Sequence, residues 1–190
     1  MRLPALVATV LAALLVAGCA STLSPLYLKT DAVADPAIVG SWLSTDKDNP
    51  GSVRVEAMKN GSYRVSMHYN ESGDDAVYEA RLVKLGSASF ADLILTKLQH
   101  SNQNLDLPWG AVPLHEIAKY QVTTDDLAVF LISNDALSDS AQHPGFPLRF
   151  QDTKPDSDCV ITSTTDELRR YFSAHSADIF REATHLKRQH

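Results

Sequence analysis

A histidine and a carboxylate stand side by side in Leu114-His115-Glu116, just after a loop that contains Trp109. Such a pair could move protons in acid–base catalysis. The segment 114–123 is predicted to be a strand, however, and adjacent residues of a strand face opposite sides. His115 and Glu116 can therefore share a site only across a bulge. Glu116 is expected to face inward, either towards a ligand head group or an internal basic residue, or into water near a barrel mouth.

The remaining residues do not form a recognisable catalytic or metal-binding pattern. The sequence contains no G-x-S-x-G, H-E-x-x-H or phosphate-loop motif, and its histidines are scattered. We therefore predict a protein that is not an enzyme and that uses no metal or cofactor. There are two cysteines, Cys19 and Cys159. Cys159 begins an apolar run with Val160 and is expected to be a buried small residue on a strand.

Three tyrosines, Tyr63, Tyr78 and Tyr120, are candidate ligand contacts together with Glu116. They share the predicted inward faces of their strands with several alanines. Small residues beside aromatic ones could leave a cavity lined with hydroxyl groups, which would suit an amphipathic ligand. The same alternation could instead fill a tapering barrel, and the residues alone do not decide between the two.

The elements that carry these side chains are mostly short strands. Apolar and polar residues alternate over 53–57, 63–69 and 76–82, and Asn60-Gly61 is a strong hairpin signal. Eight or nine such strands are predicted, the first over 38–43, with a short strand at 146–150 and the last over 159–163. Consecutive hairpins favour a mainly β, antiparallel up-and-down barrel, with a sandwich or half-barrel as the alternative.

Two helices interrupt or follow the strands. A short helix is predicted near 135–141. Thr164-x-x-Glu167 is a capping box, and apolar residues continue at helical spacing afterwards. We therefore expect a C-terminal helix over 164–187 with no strand after it. Its apolar face is expected to pack on the outer face of the strand 127–132.

The N-terminus has the pattern of an export signal. Met1-Arg2 precedes an apolar run that ends in Val16-Ala17-Gly18-Cys19, and this run is short for a transmembrane span. The ending resembles the lipobox of bacterial lipoproteins; the alternative is a signal peptide without lipidation. The resemblance implies cleavage between Gly18 and Cys19, acylation of Cys19 (palmitate among the chains) and anchoring to a membrane. Ala20 follows instead of the aspartate linked to inner-membrane retention, which implies the outer membrane.

The chain is thus divided into a signal peptide (1–18), a lipidated tether (19–36) that holds the domain off the bilayer, and one domain (37–190). The whole chain has a net charge of −6 at pH 7. An acidic domain of this kind is a poor candidate for binding nucleic acid or an anionic membrane surface. The protein is expected to face the periplasm or the cell surface.

Gly40-Ser41-Trp42, on the first predicted strand, resembles the G-x-W motif of the lipocalins. Thr124-Asp125 resembles part of a second motif of that family. The resemblance implies an eight-stranded, lipocalin-like barrel whose closed end is plugged by Trp42. It also implies an arginine after the last strand, for which Arg149 and Arg169 are the candidates.

Two functions follow as hypotheses. The first is an envelope protein that binds a small apolar or amphipathic ligand of the fatty acid or lipid class. The second is a protein-interaction module, such as an assembly accessory or a toxin-immunity inhibitor, that uses its acidic surface and the long loops at 97–112 and 134–158.

Overall fold

The computed structural model describes residues 20–31, 33–47, 50–69, 74–100, 103–105, 112–152 and 159–190. The predicted signal peptide and Cys19 lie outside these residues. The strands, in chain order, are β1 (Ser21–Thr22), β2 (Gly40–Ser44), β3 (Gly51–Ala57), β4 (Tyr63–Tyr69), β5 (Asp74–Leu85), β6 (Ala88–His100), β7 (Gln103–Leu105), β8 (His115–Val122), β9 (Asp126–Ile132), β10 (Phe150–Asp152), β11 (Cys159–Ile161) and β12 (Phe180–Gln189). The α-helices are α1 (Asn134–Ala141) and α2 (Thr165–Ile179), and Pro36–Ile38 forms one turn of 3-10 helix.

Eight of these strands close into an antiparallel barrel. From β2 to β6 each strand pairs with the next one in the chain, and β8 pairs with β6 on one edge and β9 on the other. β12 closes the ring because it pairs with both β9 and β2. The predicted mainly β, up-and-down, lipocalin-like barrel with a helix near its C-terminus is therefore confirmed.

The barrel has two distinct ends. The hairpin turns at 58–62, 86–87 and 123–125 lie at one end, which we call the closed end because the Pro36–Ile38 turn packs there. The Asn60-Gly61 signal is correct: Gly61 adopts a φ of +79° in the first of these turns, a region that glycine enters without strain. The other end, where β4, β6 and β9 finish, is the open end.

The C-terminal helix is shorter than predicted. Its capping box forms, since the Glu167 N–H donates to the Thr164 hydroxyl and the Glu167 carboxylate accepts from the Thr164 N–H. The helix ends at Ile179, however, so the prediction of helix over 164–187 with no later strand is wrong. The segment 180–189 becomes β12 because β2 and β9 would otherwise leave two open sheet edges, and pairing with both outweighs local helix propensity.

A second apolar cluster lies outside the barrel wall. Buried residues of α2, among them Leu168 and Phe172, pack against Phe90 of β6, Ile117 of β8 and Ile132 of β9. The outer face of 127–132, which was predicted to contact the helix, contributes Ile132 to this cluster. β6 and β8 contribute many of the other wall residues that contact α2. The predicted helix near 135–141 is confirmed as α1.

The predicted last barrel strand, 159–163, belongs elsewhere. It forms β11, which pairs with β10 and, in parallel, with β1. The short strand predicted at 146–150 is displaced to Phe150–Asp152. β1 pairs with the part of β8 that lies beyond the end of β9. The three short strands β1, β10 and β11 therefore extend from the barrel wall at the open end. Cys159 is buried there, as predicted.

The segment after Cys19 is packed against the barrel. Ala20 and Leu26 are buried, and the Leu26 N–H donates to the Asp92 carboxylate on the outer face of β6 (2.6 Å). The prediction that 19–36 is a tether holding the domain off the bilayer is therefore wrong for its described part. The segment runs from the open end, at β1, down the outer wall to the closed end, where the Val33 N–H donates to the Leu82 carbonyl.

Candidate functional site

The closed end is built around Trp42. Its indole is fully buried, and Nε1 donates to the Ile38 carbonyl (2.9 Å). The Arg188 guanidinium lies over the ring, 4.1 Å from its centre, and donates to the carbonyls of Ala37, Val39 and Thr124. The Arg188 guanidinium on β12 thus connects this strand to the 3-10 turn and to the β8–β9 turn, and it covers this end of the barrel.

Gly40, the first residue of the G-x-W motif, has a physical reason to be glycine. Its φ of +142° is one that other residues rarely adopt. A Cβ at this position would also lie 2.6 Å from Nη1 of Arg188. Gly40 therefore makes room for the arginine that covers Trp42.

The arginine at the closed end is Arg188, so the prediction of Arg149 or Arg169 for the motif arginine is wrong. Arg149 pairs with Glu167 at the start of α2 (2.8 Å). Arg169 donates to the Leu26 carbonyl and pairs with Asp31, and so fastens the N-terminal segment to α2. Arg188 directly follows the predicted helix 164–187, and that prediction concealed its place on a strand of the barrel.

Tyr63 and Tyr120 face the interior at the closed end, where both bind Asp35. The Asp35 N–H donates to the Tyr63 hydroxyl (2.9 Å), and the Tyr120 hydroxyl donates to the Asp35 carboxylate (3.0 Å). Burial, and then the neighbouring Asp35 charge, raise the pKa of Tyr120. These two hydroxyls therefore hold the residue before the 3-10 turn and are poorly placed to contact a ligand from the open end.

Tyr78 and Glu116 lie on inward faces further from the closed end. Tyr78 is buried and pairs across the sheet with Leu95 and Val65. Glu116 is half-buried and lies opposite Leu93 of the interior cluster. Of the four predicted ligand contacts, these two are the ones nearer the open end.

The inward-facing apolar residues nearest the open end are incompletely covered. Residues deeper in the barrel, such as Val55 and Leu82, are buried. The half-buried members of the interior cluster at the open end are Val53, Met67, Tyr69, Leu95, Leu98 and Leu131. The open end is therefore an apolar mouth with Glu116 on its wall.

His115 faces outward, opposite to Glu116, as the strand geometry predicts. Its Nδ1 lies 2.6 Å from the Asp92 carboxylate, and both side chains are almost fully buried beneath the N-terminal segment. Asp92 also accepts the Leu26 N–H. This pair was missed in the sequence, although an aspartate within the apolar run Phe90–Leu95 signals a buried partner. The arrangement fastens the segment to the wall and has little access to solvent.

Two surface depressions lie on the outside of the described part of the barrel. The larger, about 330 Å³, lies on the outer face of β3 to β6 and is lined by Arg54, His68 and Lys97 among others. The smaller, about 160 Å³, lies beside α2 at Tyr171 and His175. Within the described residues, no three His, Cys, Asp or Glu side chains come together as a metal site. Neither helix of the described residues has the length and apolar content of a membrane span.

Comparisons with known proteins return nothing: no protein-family model, no curated protein and no solved structure matches this chain.

Proposed function

We propose that this protein is a bacterial envelope lipoprotein, anchored in the outer membrane through Cys19, whose barrel binds a small apolar or amphipathic ligand without catalysing a reaction. The observation that supports binding is the difference between the two ends of the barrel. Trp42 and Arg188 seal one end, whereas the other presents half-buried apolar side chains. An apolar opening with few polar groups is the usual form of a site for a small lipid.

The position of Glu116 narrows the class of ligand. Glu116 adds a polar group to the otherwise apolar wall of the mouth, which suits an amphipathic ligand. We therefore expect single-chain lipids with a polar head group, such as a lysolipid or a fatty acid, to bind. The hydroxyls of Tyr63 and Tyr120 are engaged by Asp35 at the closed end. The ligand contacts are therefore expected from Tyr78, Glu116 and the half-buried apolar residues at the open end.

Calorimetric titration of residues 20–190 with lysophosphatidylcholine and palmitate tests this site. Two methionines give a matched pair of variants: Met67 faces the mouth, whereas Met58 is an exposed residue of the β3–β4 turn at the closed end. Met67→Gln is expected to weaken binding about tenfold, because placing an amide against an apolar chain costs about 1–2 kcal/mol. Met58→Gln should bind as the wild type does. Equal affinities in both variants, or no heat with either ligand, would contradict a site at the mouth.

The anchor is tested separately by the intact mass of the full chain purified from bacterial membranes. The proposal predicts a chain that begins at Cys19 and carries acyl groups. Cys19→Ser should abolish both the added mass and membrane association. A protein that begins elsewhere, or that carries no acyl chain, would contradict the anchor while leaving the barrel site open to its own test.

A protein-interaction module is the second candidate. The depression on the outer wall favours it, because Arg54 and Lys97 line it against Asp75, the single carboxylate among its described lining residues, with Arg54 also paired to Glu56, and so leave a small positive charge on an otherwise acidic domain. An acidic segment of an envelope protein is the partner that this charge would attract. A stoichiometric partner captured from envelope extract, and lost in the double variant Arg54→Glu/Lys97→Glu, would establish this function.

A further inference from the structure

The anchor point leaves almost no free chain between the membrane and the barrel. Cys19 is joined directly to Ala20, and consecutive Cα atoms are about 3.8 Å apart. Ala20 is only 3% exposed, and its N–H donates to the carbonyl of Ile132, the last residue of β9 (3.3 Å). Acyl chains on Cys19 would therefore leave the barrel wall beside the end of β9, a few residues back from the open end.

Exposed apolar side chains lie at this same end. β1 and β8 are antiparallel, with Ser21 opposite Glu116 and Thr22 opposite His115. Continuing this register by one residue places Leu23 opposite Leu114. Leu23, Leu114 and Val112 are 43%, 39% and 67% exposed. We call these three residues the open rim.

We infer that the open rim rests on the phospholipid bilayer, so that the mouth of the barrel faces the membrane from which its ligand comes. The inference rests on the proposed acylation of Cys19. Three residues separate Cys19 from Leu23, so the Cα atoms of these two residues lie at most about 14 Å apart. The domain carries net negative charge and gains nothing from anionic head groups, so the apolar rim and the acyl chains must supply the contact.

Tryptophan quenching by brominated lipid tests this orientation in the full, lipidated chain. Leu114→Trp places a probe on the rim, and Met58→Trp places one at the closed end. The two sites are matched in exposure, at 39% and 37%. Both variants keep Trp42 and Trp109, so their difference reports the added probe. Each is reconstituted in phosphatidylcholine vesicles with and without bromine on the acyl chains. Leu23→Trp repeats the rim measurement should Leu114→Trp fail to fold.

The rim probe is expected to lose about half of its added emission, as for a side chain buried about 5–10 Å into the interface, and the closed-end probe should lose little. Vesicle-bound protein with neither probe quenched would overturn the inference but leave the anchor intact. Stronger quenching at Met58→Trp would also overturn it, because the closed end would then face the lipid. A chain without acyl groups that stays off the vesicles would instead overturn the proposed anchor, and the inference with it.

Discussion

Replacing Arg188 with alanine is expected to lower the free energy of unfolding by about 2–3 kcal/mol. The stacking of the guanidinium on Trp42 contributes about 1 kcal/mol. The half-buried hydrogen bond to the Val39 carbonyl contributes about 1.5 kcal/mol, since its donor is charged. The bonds to Ala37 and Thr124 are exposed, so water replaces them at little cost.

Urea unfolding of residues 20–190, followed by circular dichroism, measures this loss. For a domain of this size, the change corresponds to a fall in Tm of about 5–10 °C. The control is Lys187→Ala on the same strand, which breaks an exposed ion pair with Asp126 and should cost less than about 1 kcal/mol. Arg188→Lys should fall between the two, because an ammonium cannot reach all three carbonyls while it covers the ring.

The reasoning is refuted if Arg188→Ala unfolds within about 0.5 kcal/mol of the wild type, the ordinary range for a surface substitution. That result would mean that the closed end is held by the 3-10 turn and Trp42 alone.

Three further predictions concern the wall and the helix. Asp92→Ala should cost about 3 kcal/mol, because it leaves a buried histidine and the Leu26 N–H without their acceptor, and hydrogen exchange at the Leu26 amide should rise. The backbone N–H of Thr164, the N-cap of α2, lowers the pKa of Glu167 below its ordinary 4.5. The ionised carboxylate therefore stabilises the fold at neutral pH, and this stability is lost as the pH falls below about 4.5. Urea midpoints of the wild type and Glu167→Gln should differ at pH 7 and converge at pH 3. Tyr120→Phe should cost about 1 kcal/mol in urea unfolding by losing its bond to Asp35, yet leave ligand affinity unchanged in calorimetry.

The barrel could be predicted because its signals are local. Alternation over β3, β4 and β5 and the Asn60-Gly61 turn each need only a few neighbouring residues. β12 could not, because its arginines, glutamate, alanine and leucine favour a helix. What makes it a strand is the pair of open edges on β2 and β9, which are distant in the chain.

Only part of the site could be predicted, because only part of it carries a local sequence signal. Trp42 carries a recognisable motif, whereas Arg188 acquires its role from three segments that only the fold brings together. The two tyrosines at the closed end were placed on the correct face, but Asp35, which engages their hydroxyls, lay in a segment predicted to be a free tether. That segment has no periodic pattern, because its residues pack singly against the wall and α2.

Native mass spectrometry of residues 20–190, produced without the lipid anchor and purified from the periplasm, tests the central claim most directly. The account predicts an added mass of a few hundred daltons, about that of one small lipid, which is released on denaturation and identified as a lysolipid or fatty acid. A bare protein mass that does not change when lysophosphatidylcholine or palmitate is added would contradict the claim that the barrel binds a lipid, and the function would then lie on its outer surface.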